Sequence, residues 1–289
     1  MAEEKHVHKQ LDTPKKAGID RKKDGTIELT IVIPWDKAAK AQAEIETDLI
    51  KNVSLAGFRK GQAPKHIAKE KLNQELVREE VLKKIVGTAY NEAIKTYNLN
   101  PIISPRVHIE TFADGTDIIF TAETAEEPEV ILKDYKNEVK NLTAKSKIII
   151  PGKEEARVSL DEILSLVLKT AEVKIPDILV ENEVSRLLSQ MLDELKKLGL
   201  TLDQYLESRK TDPEKLRLEY KSKAENDLKI EFILRKIADS EKITVEKEDI
   251  ESALKTIENP KEREEVMKNP YLVASIIRQQ KTVNFLSQL

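Results

Sequence analysis

The segment Gly57–Pro64 combines residue types that bind nucleic acid or an acidic protein surface. Its sequence is Gly-Phe-Arg-Lys-Gly-Gln-Ala-Pro, in which two glycines flank Phe58, Arg59 and Lys60. Because glycine lets the backbone turn tightly, we expect these three side chains to point outward. A guanidinium and an ammonium beside an aromatic ring suit RNA phosphates and unstacked bases, and they suit an acidic protein equally well. The alternative is an ordinary surface loop in which Phe58 packs onto its own domain.

This basic charge is local. Six Lys and Arg residues accompany a single Glu between Lys51 and Leu72, whereas the whole chain has 49 basic and 52 acidic residues and a net charge of −3. A net charge this small exerts little long-range attraction on nucleic acid. Binding of an anionic partner would therefore depend on this segment.

The sequence indicates no catalytic or metal-binding chemistry. The chain has no cysteine, which excludes disulfides, thiolate metal sites and cysteine nucleophiles. His6 and His8 lie in the charged N-terminal stretch, and His66 and His108 are far apart in the sequence. We find no phosphate-binding glycine loop, dinucleotide fingerprint, nucleophile elbow or paired-histidine zinc helix. We therefore expect no cofactor, no metal ion and no enzyme activity.

Hydropathy indicates a soluble, cytoplasmic protein that does not bind membranes. No apolar run approaches the roughly 20 residues that span a bilayer. Residues 1–16 lack the apolar stretch of a secretory signal. Charged residues make up 35% of the chain and aromatic residues only 4%, which is typical of thin cores and long solvated helices.

The first half of the chain has the pattern of an α+β domain. Period-2 alternation predicts strands, and apolar stripes at helical spacing predict helices. The predicted elements are a strand Thr26–Ile33, a helix Trp35–Asn52, a short helix from Pro64, a long helix Gln74–Leu99, and a hairpin of Arg106–Thr111 with Asp117–Glu123. Residues 129–132 are expected to extend this sheet.

The second half is predicted to be entirely helical. Capping boxes at Ser159/Glu162 and Thr201/Gln204 and the Asp212-Pro213 pair mark helix starts. The helix 211–240 has few apolar residues before Leu228, so we expect it to project as an arm. The predicted domains are a flexible tail 1–18, an α+β domain 19–135, a linker 136–153 and a helical domain 154–289.

Gly57–Pro64 resembles the GFRxGxxP signature of trigger factor, the bacterial ribosome-associated chaperone family. The order of predicted elements around it is also similar, and the resemblance covers residues 20–140 and 155–289. It implies an α+β ribosome-binding domain followed by an all-α, extended chaperone domain with projecting arms. It further implies ribosome contacts for a set of residues in this segment: Gly57, Phe58, Arg59, Lys60, Gly61 and Pro64.

The partners that the resemblance implies are the large ribosomal subunit at the exit tunnel, through protein and rRNA, and unfolded or nascent polypeptides. A homodimer off the ribosome is a further expectation. Members of this family usually carry an FKBP-like prolyl isomerase domain between these halves. Residues 141–153 leave no room for it, so we expect a shortened form without isomerase activity.

Two other functions stay open at this point. One is a cytoplasmic holdase of the same architecture that does not bind ribosomes, and the other is an RNA-binding module that uses the basic segment. For client contacts, Leu202, Tyr205, Leu216 and Tyr220 are candidates, although their spacing is more typical of a seam between helices.

Overall fold

The computed structural model describes residues 16–52, 58, 64–146, 158–255, 263 and 267–289. The strands are β1 Gly18–Arg21, β2 Ile27–Ile33, β3 Arg106–Thr111, β4 Ile118–Thr124, β5 Val130–Ile131 and β6 Glu172–Val173. The helices are α1 Trp35–Asn52, α2 Lys65–Lys71, α3 Gln74–Tyr97, α4 Tyr135–Ser146, α5 Leu160–Thr170, α6 Asp177–Lys197, α7 Leu202–Arg209, α8 Pro213–Ser240, α9 Lys247–Lys255 and α10 Pro270–Gln288. They form two compact units, one through Glu127 and one from Pro128.

The first unit contains an antiparallel sheet in the order β1-β2-β4-β3. Alternate residues of β2 are buried, and Ile31 lies opposite Phe120 of β4. Because side chains alternate along a strand, one face of the sheet supplies the core. That core packs against α1 and α3, and its most deeply buried side chains include Leu29, Ile118 and Phe120.

Local signals fix both ends of α3. The Asn73 side-chain oxygen accepts hydrogen bonds from the backbone N–H groups of Glu75 at 2.9 Å and Leu76 at 3.4 Å. At the other end Asn98 adopts a left-handed conformation with φ 51°. These contacts satisfy backbone groups that a helix leaves unpaired at its termini. The predicted helix from Gln74 is thus confirmed, with its end at Tyr97.

Three predictions about the middle of the chain need correction. Residues 129–132 do not extend the first sheet, because Val130–Ile131 pairs with Glu172–Val173 in a separate two-stranded sheet. That sheet also places a short strand in the half predicted to be entirely helical. The linker prediction is wrong for residues 136–146, which belong to α4 in the second unit. Tyr135, Val139 and Thr143 are buried at four-residue intervals along α4, which is the spacing of a packed helix face.

In its described residues the second unit consists of helices apart from β5 and β6. Both predicted capping boxes are present, at Ser159/Glu162 and Thr201/Gln204. α8 contacts α5 and α10, and its first half has sparser burial than its second half, with Leu216 and Ala224 as the buried residues there. No helix in the described part of the chain is long and apolar enough to cross a membrane.

Candidate functional site

The predicted binding segment lies between α1 and α2. Phe58 is 42% exposed, and Pro64 occupies the N-cap position of α2 with φ −53°. The other predicted site residues, Gly57, Arg59, Lys60 and Gly61, lie outside the described residues. The structure thus gives the position of two of the six site residues, and their role stays a prediction.

An ion pair joins the two helices that flank this segment. Glu46 of α1 lies 2.8 Å from the Lys69 ammonium of α2, measured from Oε2 to Nζ. The second carboxylate oxygen accepts a hydrogen bond from the Gln42 amide at 3.2 Å. Glu46 is only 7% exposed, so its charge is removed from water and depends on these partners. Neither the sequence pattern nor the resemblance predicts this pair.

Apolar contacts hold the same helices on the core. Ala68 of α2 is 1% exposed, and Leu72, which follows α2, belongs to the core cluster of the first unit. A second ion pair, between Glu44 Oε2 and Lys84 Nζ at 2.7 Å, joins α1 to α3. The buried side chains hold these helices on the core, whereas the Glu44–Lys84 pair is exposed and contributes little to their position.

A second candidate surface surrounds a small cluster in the second unit. Met191, Leu195, Leu206 and Leu216 are buried together where α6, α7 and α8 meet. Tyr205 and Tyr220 pack against this cluster, and the Arg209 guanidinium lies 5.7 Å from the Tyr205 ring centre.

Of the four candidates for client contacts, three therefore belong to the seam between helices, as their spacing indicates. Leu202 is the exception, because it is 36% exposed.

Exposed leucines lie on the same three helices and on the connection between α6 and α7. We call them the leucine rim. Its members are Leu192, Leu198, Leu200, Leu202 and Leu218. Leu198 is 72% exposed and Leu218 is 66% exposed, although Leu218 lies only two residues from buried Leu216.

Sequence reasoning missed most of this rim. On α6, Leu192 directly follows the buried Met191, yet its side chain is 45% exposed. The position of Leu218 on α8 could have predicted its exposure. A helix turns about 200° over two residues, so Leu218 and the buried Leu216 lie on nearly opposite faces.

Elsewhere in the second unit, local contacts shift the pKa values of Glu241 and Tyr135. Lys136 and the Tyr135 hydroxyl both donate to Glu241, at 2.8 Å and 2.9 Å. The hydrogen bond from Lys136 is the main cause that lowers the pKa of the Glu241 carboxyl. Burial and the Glu241 hydrogen bond raise the pKa of Tyr135. These groups fasten α4 to the end of α8. We find no group of three His, Asp or Glu side chains that could hold a metal ion within the described ranges.

Comparison with known proteins gives consistent matches. The family model described as "Bacterial trigger factor protein (TF)" matches residues 16–163. The family model described as "Bacterial trigger factor protein (TF) C-terminus" matches residues 126–288. Together these two models cover nearly the whole described chain, and they overlap at residues 126–163.

Two curated relatives each match less than half of the chain. The trigger factor of Staphylococcus epidermidis (strain ATCC 12228) is 32% identical over 137 residues, which are 47% of this chain and 31% of the relative. The trigger factor of Staphylococcus aureus (strain JH9) is 33% identical over 108 residues, which are 37% of this chain and 25% of the relative. The matched stretch thus spans less than a third of the length of these relatives.

A solved structure shares the fold across almost its full length. Its title is "Promiscuous Substrate Recognition in Folding and Assembly Activities of the Trigger Factor Chaperone". The superposition has a TM-score of 0.62 and covers 94% of this chain and 99% of that chain. The sequence identity is 15%, so this similarity concerns the fold alone.

Proposed function

This chain belongs to the bacterial trigger factor family, and on that premise we propose that it is an ATP-independent chaperone. In this proposal the chain docks at the ribosomal exit tunnel through the segment Gly57–Pro64 and shields nascent polypeptides while they fold. Its partners are the protein and rRNA at the tunnel exit and unfolded chains. The proposed compartment is the cytoplasm, with a homodimer as a further state off the ribosome.

The observation that supports docking most directly is the GFRKG sequence with an exposed Phe58 between two anchored helices. An exposed aromatic ring can fill an apolar pocket on the partner as an anchor. Arg59 and Lys60 supply attraction to anionic rRNA, which weakens as the salt concentration rises. The motif thus combines one apolar anchor for a pocket on ribosomal protein with two cations for rRNA.

The leucine rim supports client binding. Its exposed leucines are separated by charged residues, such as Lys196 and Lys197 between Leu192 and Leu198. Scattered apolar contacts of this kind bind many unfolded segments without selecting one sequence. Because this proposal includes no nucleotide-driven release step, the affinity for clients has to be modest. We expect client dissociation constants of about 1 μM, which correspond to a binding free energy of roughly −8 kcal/mol.

We further propose that this chain has no prolyl isomerase activity of its own. The two matched family regions meet and overlap at residues 126–163, and β5, α4 and the start of α5 occupy the described part of that stretch. No segment separates the two matched regions where the family usually carries the isomerase domain.

Cosedimentation with vacant bacterial 70S ribosomes tests docking. The parent chain is compared with the triple variant Phe58→Ala/Arg59→Ala/Lys60→Ala, and client binding is measured on both. We expect the parent to cosediment and the triple variant to lose ribosome binding while it keeps client affinity. Equal cosedimentation of the two proteins would refute a role for this segment.

Two alternatives give distinct results in the same experiment. A free holdase would bind clients but not ribosomes, in either form. An RNA-binding module would bind naked RNA with a steep salt dependence and would have no affinity for clients. The leucine rim favours a chaperone over an RNA-binding module, because exposed leucines contribute nothing to phosphate binding.

A further inference from the structure

A buried carboxylate lies close to the proposed docking segment and outside the motif. Among the described residues Glu46 is the only charged residue that is buried, at 7% exposure. Removing a carboxylate from water is costly unless it is paired and hydrogen-bonded. Lys69 at 2.8 Å and the Gln42 amide at 3.2 Å supply those partners.

The pair connects the helix before the docking segment to the helix after it. Glu46 lies six residues before the end of α1 at Asn52, and Lys69 lies in α2, which begins at Lys65. α2 has only seven residues, and helices this short are not stable without tertiary contacts. The position of α2 therefore depends on tertiary contacts, which include the Glu46–Lys69 pair and the buried side chains of Ala68 and Leu72.

We propose that Glu46 and Lys69 form a positioning pair for ribosome docking, a role that rests on the docking function proposed above. The pair fixes the distance between the end of α1 and the start of α2, which flank Phe58, Arg59 and Lys60 in the sequence. A binding segment whose ends are already in place loses less conformational freedom on binding. The pair therefore raises ribosome affinity without contacting the ribosome.

This proposal and simple electrostatics predict effects of opposite sign. Replacing Glu46 with Gln removes a negative charge beside a basic segment, and that change alone strengthens attraction to rRNA. Loss of the positioning pair weakens binding. A matched control is Glu44→Gln, which removes the same charge from the same helix but breaks only the 2.7 Å pair with Lys84 on α3.

The test measures ribosome dissociation constants for these variants by cosedimentation at a fixed salt concentration. We expect Glu46→Gln to weaken binding about three- to tenfold, within the range of coupling between contacting residues. Glu44→Gln should leave binding unchanged or slightly tighter. Binding of Glu46→Gln equal to or tighter than that of Glu44→Gln would overturn the proposal.

Lys69→Gln changes the exposed partner of the pair, whose side chain is 58% exposed. It leaves the buried Glu46 carboxylate without its cation, so the stability of this variant is measured beside its ribosome affinity. The control Lys71→Gln removes the same charge from α2, and Lys69→Arg keeps a cation in reach of Glu46. We expect Lys69→Gln to bind more weakly than Lys71→Gln and Lys69→Arg to restore affinity. Equal losses of ribosome affinity in Lys69→Gln and Lys71→Gln would show that Lys69 acts only as a surface cation, which would overturn its role in the pair.

Hydrogen exchange separates failure of this inference from failure of docking. Exchange of the α2 amides, with Ala68 as the reporter, should be faster in Glu46→Gln than in Glu44→Gln, whether or not ribosomes bind. If the parent chain does not cosediment, the docking function is wrong and the positioning role fails with it. If the parent binds but α2 exchange is the same in both variants, the positioning pair alone is refuted.

Discussion

Leu216 and Leu218 lie two residues apart on α8, and the structure predicts opposite consequences for their replacement. Leu216 is 3% exposed and belongs to the cluster of α6, α7 and α8, whereas Leu218 is 66% exposed on the leucine rim. We expect Leu216→Ala to destabilise the fold and Leu218→Ala to weaken client binding. Each variant therefore serves as the control for the other.

The magnitudes follow from burial. Truncating a buried leucine to alanine costs about 2–5 kcal/mol. For a unit of this size we expect the melting temperature of Leu216→Ala to fall by roughly 5–15 °C. Leu218→Ala leaves no cavity and introduces a good helix former, so its stability should lie within about 0.5 kcal/mol of the parent.

The client effect is estimated from the exposed area. At about 0.8 kcal/mol per methylene, a leucine side chain that a client covers completely gives up roughly 2.5 kcal/mol when it is truncated to alanine. Only the 66% that is exposed can be newly covered, which lowers the limit to about 1.5 kcal/mol, or roughly tenfold in affinity. Because clients bind in several registers, we expect a three- to tenfold loss for the combined variant Leu198→Ala/Leu218→Ala.

The assay is fluorescence anisotropy of a labelled, permanently unfolded model protein, with thermal unfolding measured on the same samples. Leu160→Ala is the control, because this leucine is 49% exposed on α5, outside the cluster. Client affinity that is unchanged in Leu198→Ala/Leu218→Ala, or reduced equally in Leu160→Ala, would show that the leucine rim is not a client surface.

Three further predictions concern the stability of the second unit. Hydrogen bonding from Lys136 lowers the pKa of Glu241, so this carboxylate stabilises the fold above its ordinary pKa of 4.5, and the contribution is lost as the pH falls through the lowered value. Urea unfolding between pH 7 and 3 should show that loss of stability, and the loss should be smaller in Glu241→Gln. Burial raises the pKa of Tyr135, so the stability that its neutral hydroxyl contributes is present below pH 10 and is lost as the pH rises further. In urea unfolding at alkaline pH, the stability of Tyr135→Phe should depend less on pH than that of the parent. An identical pH dependence would contradict this role of Tyr135. Ser159→Ala removes the cap that accepts from Glu162 N–H at 3.2 Å and should cost about 1 kcal/mol, measured by urea unfolding at pH 7.

The sequence predicts most of the fold where its signals are local. The cap residues Ser159, Thr201 and Asp212 lie where the chain begins its helices, and the capping hydrogen bonds are all present. The alternation of β2 and the hairpin of β3 with β4 are also confirmed. These features depend on neighbours a few residues away, so a single sequence contains the information they need.

Features that depend on distant partners were missed. β1 has the sequence GIDR, which lacks an alternating apolar pattern, and it forms because β2 offers it a paired edge. β5 has only two residues, and its partner strand is more than forty residues away at Glu172–Val173. In α4 the buried positions are separated by Lys and Asn residues, which hid the stripe in a highly charged segment.

The candidate site shows the same division. The motif Gly57–Pro64 is recognisable from sequence because it is contiguous. The Glu46–Lys69 pair and the leucine rim are not, since charge and apolarity are common throughout this chain and only the tertiary structure distinguishes a buried Glu46 from an exposed Glu44.

Cell-free translation of an aggregation-prone client tests the central claim most directly, because it requires docking and shielding together. The parent chain and the triple variant Phe58→Ala/Arg59→Ala/Lys60→Ala are added at the same concentration, close to that of the ribosomes, and the soluble yield of the client is measured. We predict that the parent raises the soluble yield and that the triple variant does not, although both suppress aggregation of a chemically denatured client equally. An equal rise in yield with both proteins would contradict a ribosome-docked chaperone.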